Sequence, residues 1–268
     1  MKKYFQNKTF LAGFVIVSMI VVFMVIGLIL LPYDPAATDA FNKFQKASAE
    51  HLLGTDHLGR DVFSRLIVGT RNSLLVGLCV MLFGSLIGIV LGALAGYFGK
   101  WVDAVISKLI ETQMAFPGIL LALMLISVLG ARINITILAL TIMSIPRMTR
   151  IVRGGFIKYK NSLFVKSSVA KGAGSFRIIF RHILPNVMSD VLITANLNLS
   201  LAILSESGLS YLGLGIQPPN PSFGQMLSDS QRFIFQSPYS VLVPAIMLIL
   251  MVLGFNFMGD GISEVNKH

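Results

Sequence analysis

The side chains in this sequence that are capable of chemistry are few and scattered. His51, Asp56 and His57 form the closest grouping of metal-ligand types. A divalent site needs more well-placed donors than this, and two histidines in one loop more often hydrogen-bond or face water, so no metal is expected there. Gly99-Lys100 comes nearest to a phosphate-binding loop, but Leu94 stands where the first glycine belongs and Trp101 follows the lysine. ATP is not bound in that manner. The H-E-x-x-H zinc helix and the G-x-S-x-G nucleophile elbow are both missing, which argues against an intramembrane hydrolase and implies no cofactor. Cys79 sits alone in an apolar run and reads as a small buried hydrophobe.

Acidic residues tell a similar story. A carrier driven by protons or sodium places ionisable groups near the bilayer midplane, whereas Glu111, Asp190, Glu206 and Asp260 fall near the ends of apolar runs. Asn196, Asn198 and Asn256 are neutral and suit hydrogen-bonded helix packing.

The chemistry is therefore one of position, and the segment 147–185 sets it. It holds Arg147, Arg150, Arg153, Lys158, Lys160, Lys166, Lys171, Arg177 and Arg181 without one Asp or Glu. Lys and Arg beside membrane spans resist translocation, so this block is expected on the cytoplasmic side. A solvated basic loop that only orients the protein and touches anionic lipid is the simpler alternative.

Composition places the block in a membrane protein. The 268 residues are 54% hydrophobic and 13% charged, with a mean hydropathy of +0.77, too apolar for a soluble domain. The net charge of +10 is concentrated in the interspan loop and lacks interleaved aromatics, so nucleic acid is not the expected partner. The apolar run 10–31 is longer than a signal-peptide core and is expected to be a retained first span. A charge-balanced outer loop, 32–72, follows. Further spans are expected at 73–98, from 102 to about 130 with a kink at Pro117, at 133–145 extended toward Arg150, at 187–204 and at 241–257. The fold class is thus all-α, a polytopic membrane protein with six transmembrane helices and both termini inside. Of the 22 Lys and Arg residues, fifteen then lie inside, Lys2 and Lys267 among them, against seven outside. Two regions result: 1–72, an N-terminal span with its extracytoplasmic loop, and 73–268, the transmembrane core containing the loop 147–185.

Within the second span Gly84, Gly88, Gly92 and Gly96 recur every four residues, with Gly77 near the same face. Such a stripe lets another helix approach closely. In the basic segment the reading is two short helices: Asn161 or Ser162 capping the first, Lys171 in its last turn and Gly172 closing it in the left-handed conformation. Ser175 can cap the second, and Pro185 is expected to stop or kink its continuation.

Gly172, followed after nine residues by His182-Ile183-Leu184-Pro185, resembles the cytoplasmic coupling loop of bacterial ABC importer permeases, patterned E-A-A, three residues, Gly, nine residues, I-x-L-P. Lys166-Ser167-Ser168 stands in place of Glu-Ala-Ala, and His182 in place of Ile. The resemblance implies that this loop docks on an ATPase subunit.

On the outer side, Gly54-Thr55-Asp56-His57-Leu58-Gly59-Arg60-Asp61 leads into a segment whose apolar face is Val62, Phe63, Leu66 and Ile67. Asp61 is expected to start a surface helix there, paired with Arg65, that feeds into the second span. This segment and Gly69 to Leu74 resemble the second, C-type permease subunit of dipeptide, oligopeptide and nickel importers. So do Leu209-Ser210-Tyr211-Leu212-Gly213-Leu214-Gly215, Pro218 to Gly224 and Phe255 to Gly261; Pro146 to Gly154, and Glu111 to Pro117, where the family usually has Asp in place of Glu111, extend the match over nearly the whole chain. The resemblance implies a homologous permease partner, two ABC ATPase subunits, an extracytoplasmic substrate-binding protein and a bacterial inner membrane as setting, with no chemistry on this chain. A secondary carrier or channel needing no ATPase, or a membrane scaffold, is the alternative.

Overall fold

Asn7 and Asp61 show how local chemistry sets the first helices. The structure, a computed structural model, describes residues 2–267 without the side chains of Lys2, Asn266 and Lys267, so the charges counted at Lys2 and Lys267 lie outside what it describes. A short α1 (Lys2–Gln6) precedes α2 (Lys8–Ile29), where the Asn7 side-chain oxygen accepts from Phe10 N–H at 2.9 Å. Along α2 the exposed Val15, Met19, Val22, Ile26 and Ile29 form one stripe, as on a helix that faces lipid. After the loop 30–61, Asp61 caps α3 (Val62–Phe98) by accepting from Ser64 N–H at 2.7 Å.

No separate surface helix precedes the second span. Val62, Leu66 and Ile67 are buried at the start of one continuous 37-residue helix, and the boundary between residues 72 and 73 falls inside it. The expected Asp61 to Arg65 pairing does not form either, because Asp61 is held by its capping role and by His51, 2.9 Å away.

At Pro117 the chain breaks instead of kinking. The helices α4 (Lys100–Met114) and α5 (Gly118–Leu129) meet at 84°. Proline supplies no N–H and disfavours helix in the residue before it. By contrast α6 (Ile133–Lys160) runs straight through Pro146 and ten residues past the expected Arg150. The carbonyl of Ile142, which Pro146 leaves without its helical donor, is taken by the Gln113 side-chain amide at 2.5 Å.

Beyond α6 come α7 (Leu163–Ala170), α8 (Ser175–Arg177), a π-helical stretch Ile178–Ile183, and α9 (Leu184–Tyr211). The last three form one uninterrupted rod, Ser175–Tyr211. The expected second short helix is therefore the near end of the fifth span. Gly174, not Ser175, occupies the N-cap position, and Pro185 neither stops nor breaks the rod. The wider π turns, in which Leu184 N–H reaches back to Ile179 O, make room for the proline ring at the first turn of α9. Then come α10 (Phe223–Ser230), inside the Gly- and Pro-rich segment after α9, and α11 (Tyr239–Lys267).

Among the described residues there are no strands beyond an isolated bridge between Thr55 and Asp61. Five helices are long and apolar enough to cross a membrane, and there are up to six such spans if the bent α4 and α5 pair is counted as one broken span. Three buried clusters hold the bundle. One joins α2, α3, α9, α10 and α11 around Ile20, Leu66, Ile203, Phe223 and Met251. Another joins α3, α5, α6 and α9 around Val80, Ile126, Leu140 and Leu209. The remaining cluster seats α7 and is described next.

Candidate functional site

The loop between α6 and α9 is a folded element, and Val165 explains why. With 3% of its surface exposed, this side chain is the anchor of α7, set among Phe156, Ile178, Ile179, Ile183 and Val187. Ser162 takes the N-cap position with extended backbone angles, but its hydroxyl donates to Tyr159 O at 2.6 Å and Asn161 belongs to the end of α6. Gly172 has φ of 80°. Ala173 N–H reaches Ser168 O at 3.1 Å and Gly172 N–H reaches Val169 O at 2.9 Å, the paired bonds of a Schellman closure. A β-carbon at Gly172 would meet nothing within 4 Å, so the position demands glycine through its backbone angle alone.

Around this anchored turn the outward face is apolar and uncovered. Leu163 is 85% and Phe176 75% exposed, with Val169 and Phe180 also exposed. Lys166 and Ser167 are exposed, and Ser168 turns its hydroxyl inward to Phe164 O at 2.8 Å. His182 and Leu184 are half-buried on the rod beyond, and Pro185 is exposed. The element thus combines a buried root with an exposed apolar face that also carries Lys166.

Its root is continuous with α3. A β-carbon on Gly84 would lie 2.0 Å from Ser144 Oγ, on Gly88 2.6 Å from Met148 Cβ, on Gly92 2.7 Å from Val152 Cβ, and on Gly96 2.5 Å from Phe156 Cβ. All four approach α6, and Val152 and Phe156 belong to the cluster that holds Val165. Gly77 differs, facing Ile203 and Leu199 of α9. At this same end Arg153 of α6 forms a bidentate pair with Asp103 of α4 at 2.5 and 2.7 Å.

The opposite end of α3 is closed by charge. Asp56 accepts from Leu58 and Arg60 N–H and from the Arg60 side chain at 2.6 Å, and Arg60 reaches Asp229 of α10 at 2.9 Å. Arg65, 2% exposed, lies 3.7 Å from both carboxylates. Gly54 and Gly59 have φ of 74° and 76° and pass against the backbone oxygens of Gln45 and Asp39. Gly54, Asp56, Gly59, Arg60 and Asp61 therefore fold the loop onto itself and fasten it to α3 and α10. His51 serves Asp61, and His57 stacks on Phe233. Among the described residues no cluster of three metal-ligating side chains exists.

Glu206 had the look of a span-end residue but is wholly buried inside α9. Ser73 of α3 donates to it at 3.0 Å and Ser210 at 2.6 Å, while the Ser210 hydroxyl accepts from Ile216 N–H at 2.9 Å. A glutamate followed four residues later by serine inside an apolar stretch is a signal of such a cage. Asn196 donates to Phe255 O of α11, a helix-packing bond, while the amide nitrogen of Asn198 is buried without a protein acceptor.

Comparison with known proteins gives this arrangement its relatives. Residues 88–266 match the family described as binding-protein-dependent transport system inner membrane component. Residues 1–47 match the N-terminal transmembrane domain of oligopeptide transport permease C. A dipeptide transport system permease protein of Alkalihalophilus pseudofirmus is 38% identical over 98% of this chain and 86% of its own. A glutathione transport system permease protein of Pectobacterium atrosepticum is 38% identical over 88% of this chain and 78% of its own. Among solved structures, the MetNI methionine ABC transporter in an inward-facing conformation shares the fold over 75% of this chain and 95% of the compared chain, with a TM-score of 0.60 at 18% identity. With family models matching residues 1–47 and 88–266 and a dipeptide permease 38% identical over nearly its whole length, the chain belongs to the binding-protein-dependent ABC importer permeases, in their second, C-type branch.

Proposed function

We propose that this chain forms half of the translocation path of an ATP-driven importer for short peptides, paired with a homologous permease, two ABC ATPase subunits and an extracytoplasmic binding protein. The observation that carries the reading is the α7 element. A helical turn whose root is locked among Phe156, Ile183 and Val187, and whose tip exposes Leu163, Val169 and Phe176, is built to receive force from a partner and pass it to α6 and α9. Segments that move as rigid bodies need such rooted contacts. ATP hydrolysis falls to the ATPase subunits; this chain supplies the moving wall. Both termini and α7 lie in the cytoplasm of a bacterial cell whose inner membrane the bundle crosses, and the loop 30–61 with α10 faces the binding protein. The relatives' cargoes, dipeptides and glutathione, support a peptide over nickel.

The test is reconstitution of all subunits in proteoliposomes, with uptake of a dipeptide measured with and without ATP. Leu163→Asp with Phe176→Asp should abolish ATPase binding while leaving the permease pair assembled. Retained ATPase binding would remove α7 from the docking role, and uptake without ATP would favour a carrier.

A further inference from the structure

Gly154 is a glycine that the fold does not explain. It lies inside α6, six residues from its end, where glycine is unfavourable by about 1 kcal/mol relative to alanine, yet a β-carbon there would meet nothing within 4 Å. Its neighbour Gly155 is accounted for by Val187 of α9, which a β-carbon would approach to 2.6 Å. Gly154 instead lines an open groove of about 570 Å³ between α6, α9 and α11. On α6 the groove is lined by Arg147, Arg150 and Lys158, and on α9 by Asp190 and Thr194. Arg147, Ile151, Gly154 and Lys158 follow the four, three, four spacing that puts them on one helical stripe. The Arg147, Arg150, Lys158 and Asp190 side chains are exposed, and among the described residues no ion pair joins them.

The charges are ordered along the groove. Val187 lies against Gly155, and α6 and α9, consecutive crossings joined through α7, run in opposite directions. Asp190 is therefore about level with Val152, with Arg147 and Arg150 to one side and Lys158 to the other. Six residues of helix separate Val152 from Lys158, about 9 Å of rise, comparable with the span between the two charged ends of a tripeptide. A groove that attracted only anionic headgroups would gain nothing from a carboxylate at its centre.

We propose that this groove is a transient binding site for a zwitterionic short peptide on its way out of the path, Asp190 receiving the ammonium group and the flanking cations the terminal carboxylate, with the Gly154 backbone as floor. The inference rests on the peptide-import reading and adds to it the residues that touch cargo. Open walls and unpaired charges give weak, quickly released binding, which is what a site on an exit route needs.

The test uses the complete reconstituted transporter and alanyl-alanyl-photoleucine, a tripeptide with a diazirine side chain, irradiated during ATP-driven uptake, with adducts mapped by mass spectrometry. Adducts are expected on 151–154 and 193–197. Adduct yield per peptide transported should fall about tenfold in Arg147→Gln/Lys158→Gln, recover in the charge-preserving Arg147→Lys/Lys158→Arg, and fall in Gly154→Leu, which fills the floor without a clash inside the chain. Uptake with no adduct in the groove overturns the inference, as does adduct yield indifferent to neutralising the cations. Absence of ATP-driven uptake of any peptide by the unaltered complex overturns instead the import reading beneath it.

Discussion

Gly172 and Lys166 lie six residues apart and differ in role, one setting the shape of α7 and the other an exposed charge on it. At Gly172 the backbone angle of 80° strains any β-branched residue even though the space is open. Gly172→Val is therefore expected to leave insertion and permease pairing intact while cutting coupled uptake, read as ATP hydrolysed per peptide imported. Lys166→Glu places on an exposed position the acid usual in this family, and uptake should persist; loss of ATPase binding would show that Lys166-Ser167-Ser168 is matched to its own partner. Glu206 belongs to the same scale. Glu206→Ala would orphan the hydroxyls of Ser73 and Ser210, each buried donor costing about 1–3 kcal/mol, whereas Glu206→Gln keeps an acceptor and the volume and should lose less. Thermal unfolding of the purified protein in detergent measures the difference, and equal loss would show that the hydroxyls find other acceptors.

At the scale of helices, α3 against α6 is the contact most sensitive to size. Gly88→Leu drives a branched side chain into Met148 Cβ, and overpacking of this kind costs typically 1–3 kcal/mol; assembly and thermal stability should both drop. Gly154→Ala on the far face of α6 is the matched control and should raise thermal stability slightly, since it adds helix propensity and touches nothing. The glycine spacing was legible because a four-residue repeat in an apolar run has one geometrical meaning. Helix existence was legible for the same reason. Helix ends were not: the continuation of α6 beyond Pro146 depends on Gln113, 33 residues earlier, supplying the donor that the proline lacks, and the continuity of the rod through Pro185 depends on π turns that leave no mark in composition. The Glu206 cage joins residues 133 positions apart, and the Arg60 bridge to Asp229 joins residues 169 apart; residue types hint at such partners, but only the folded chain brings them together.

For the molecule as a whole, orientation follows from where the cations lie. A cysteine placed near Lys158 in a Cys79→Ala background should react with an impermeant thiol reagent only from the cytoplasm, and one near Lys43 only from outside; the opposite pattern would invert the bundle. The two ends are built differently, one fastened by buried charges around Asp56 and Arg65 and the other left with an uncovered apolar tip. The rod Ser175–Tyr211 connects them. From Val187, pressed on Gly155, to Tyr211 is 24 residues, about 36 Å of helix. Pivoted at Val187, a tilt of about 5° would sweep the far end through roughly 3 Å, while α7, close to the fulcrum, would travel much less. Under the proposed coupling the rod would work as an amplifier, turning a small stroke at the short arm into a wider one at the long arm.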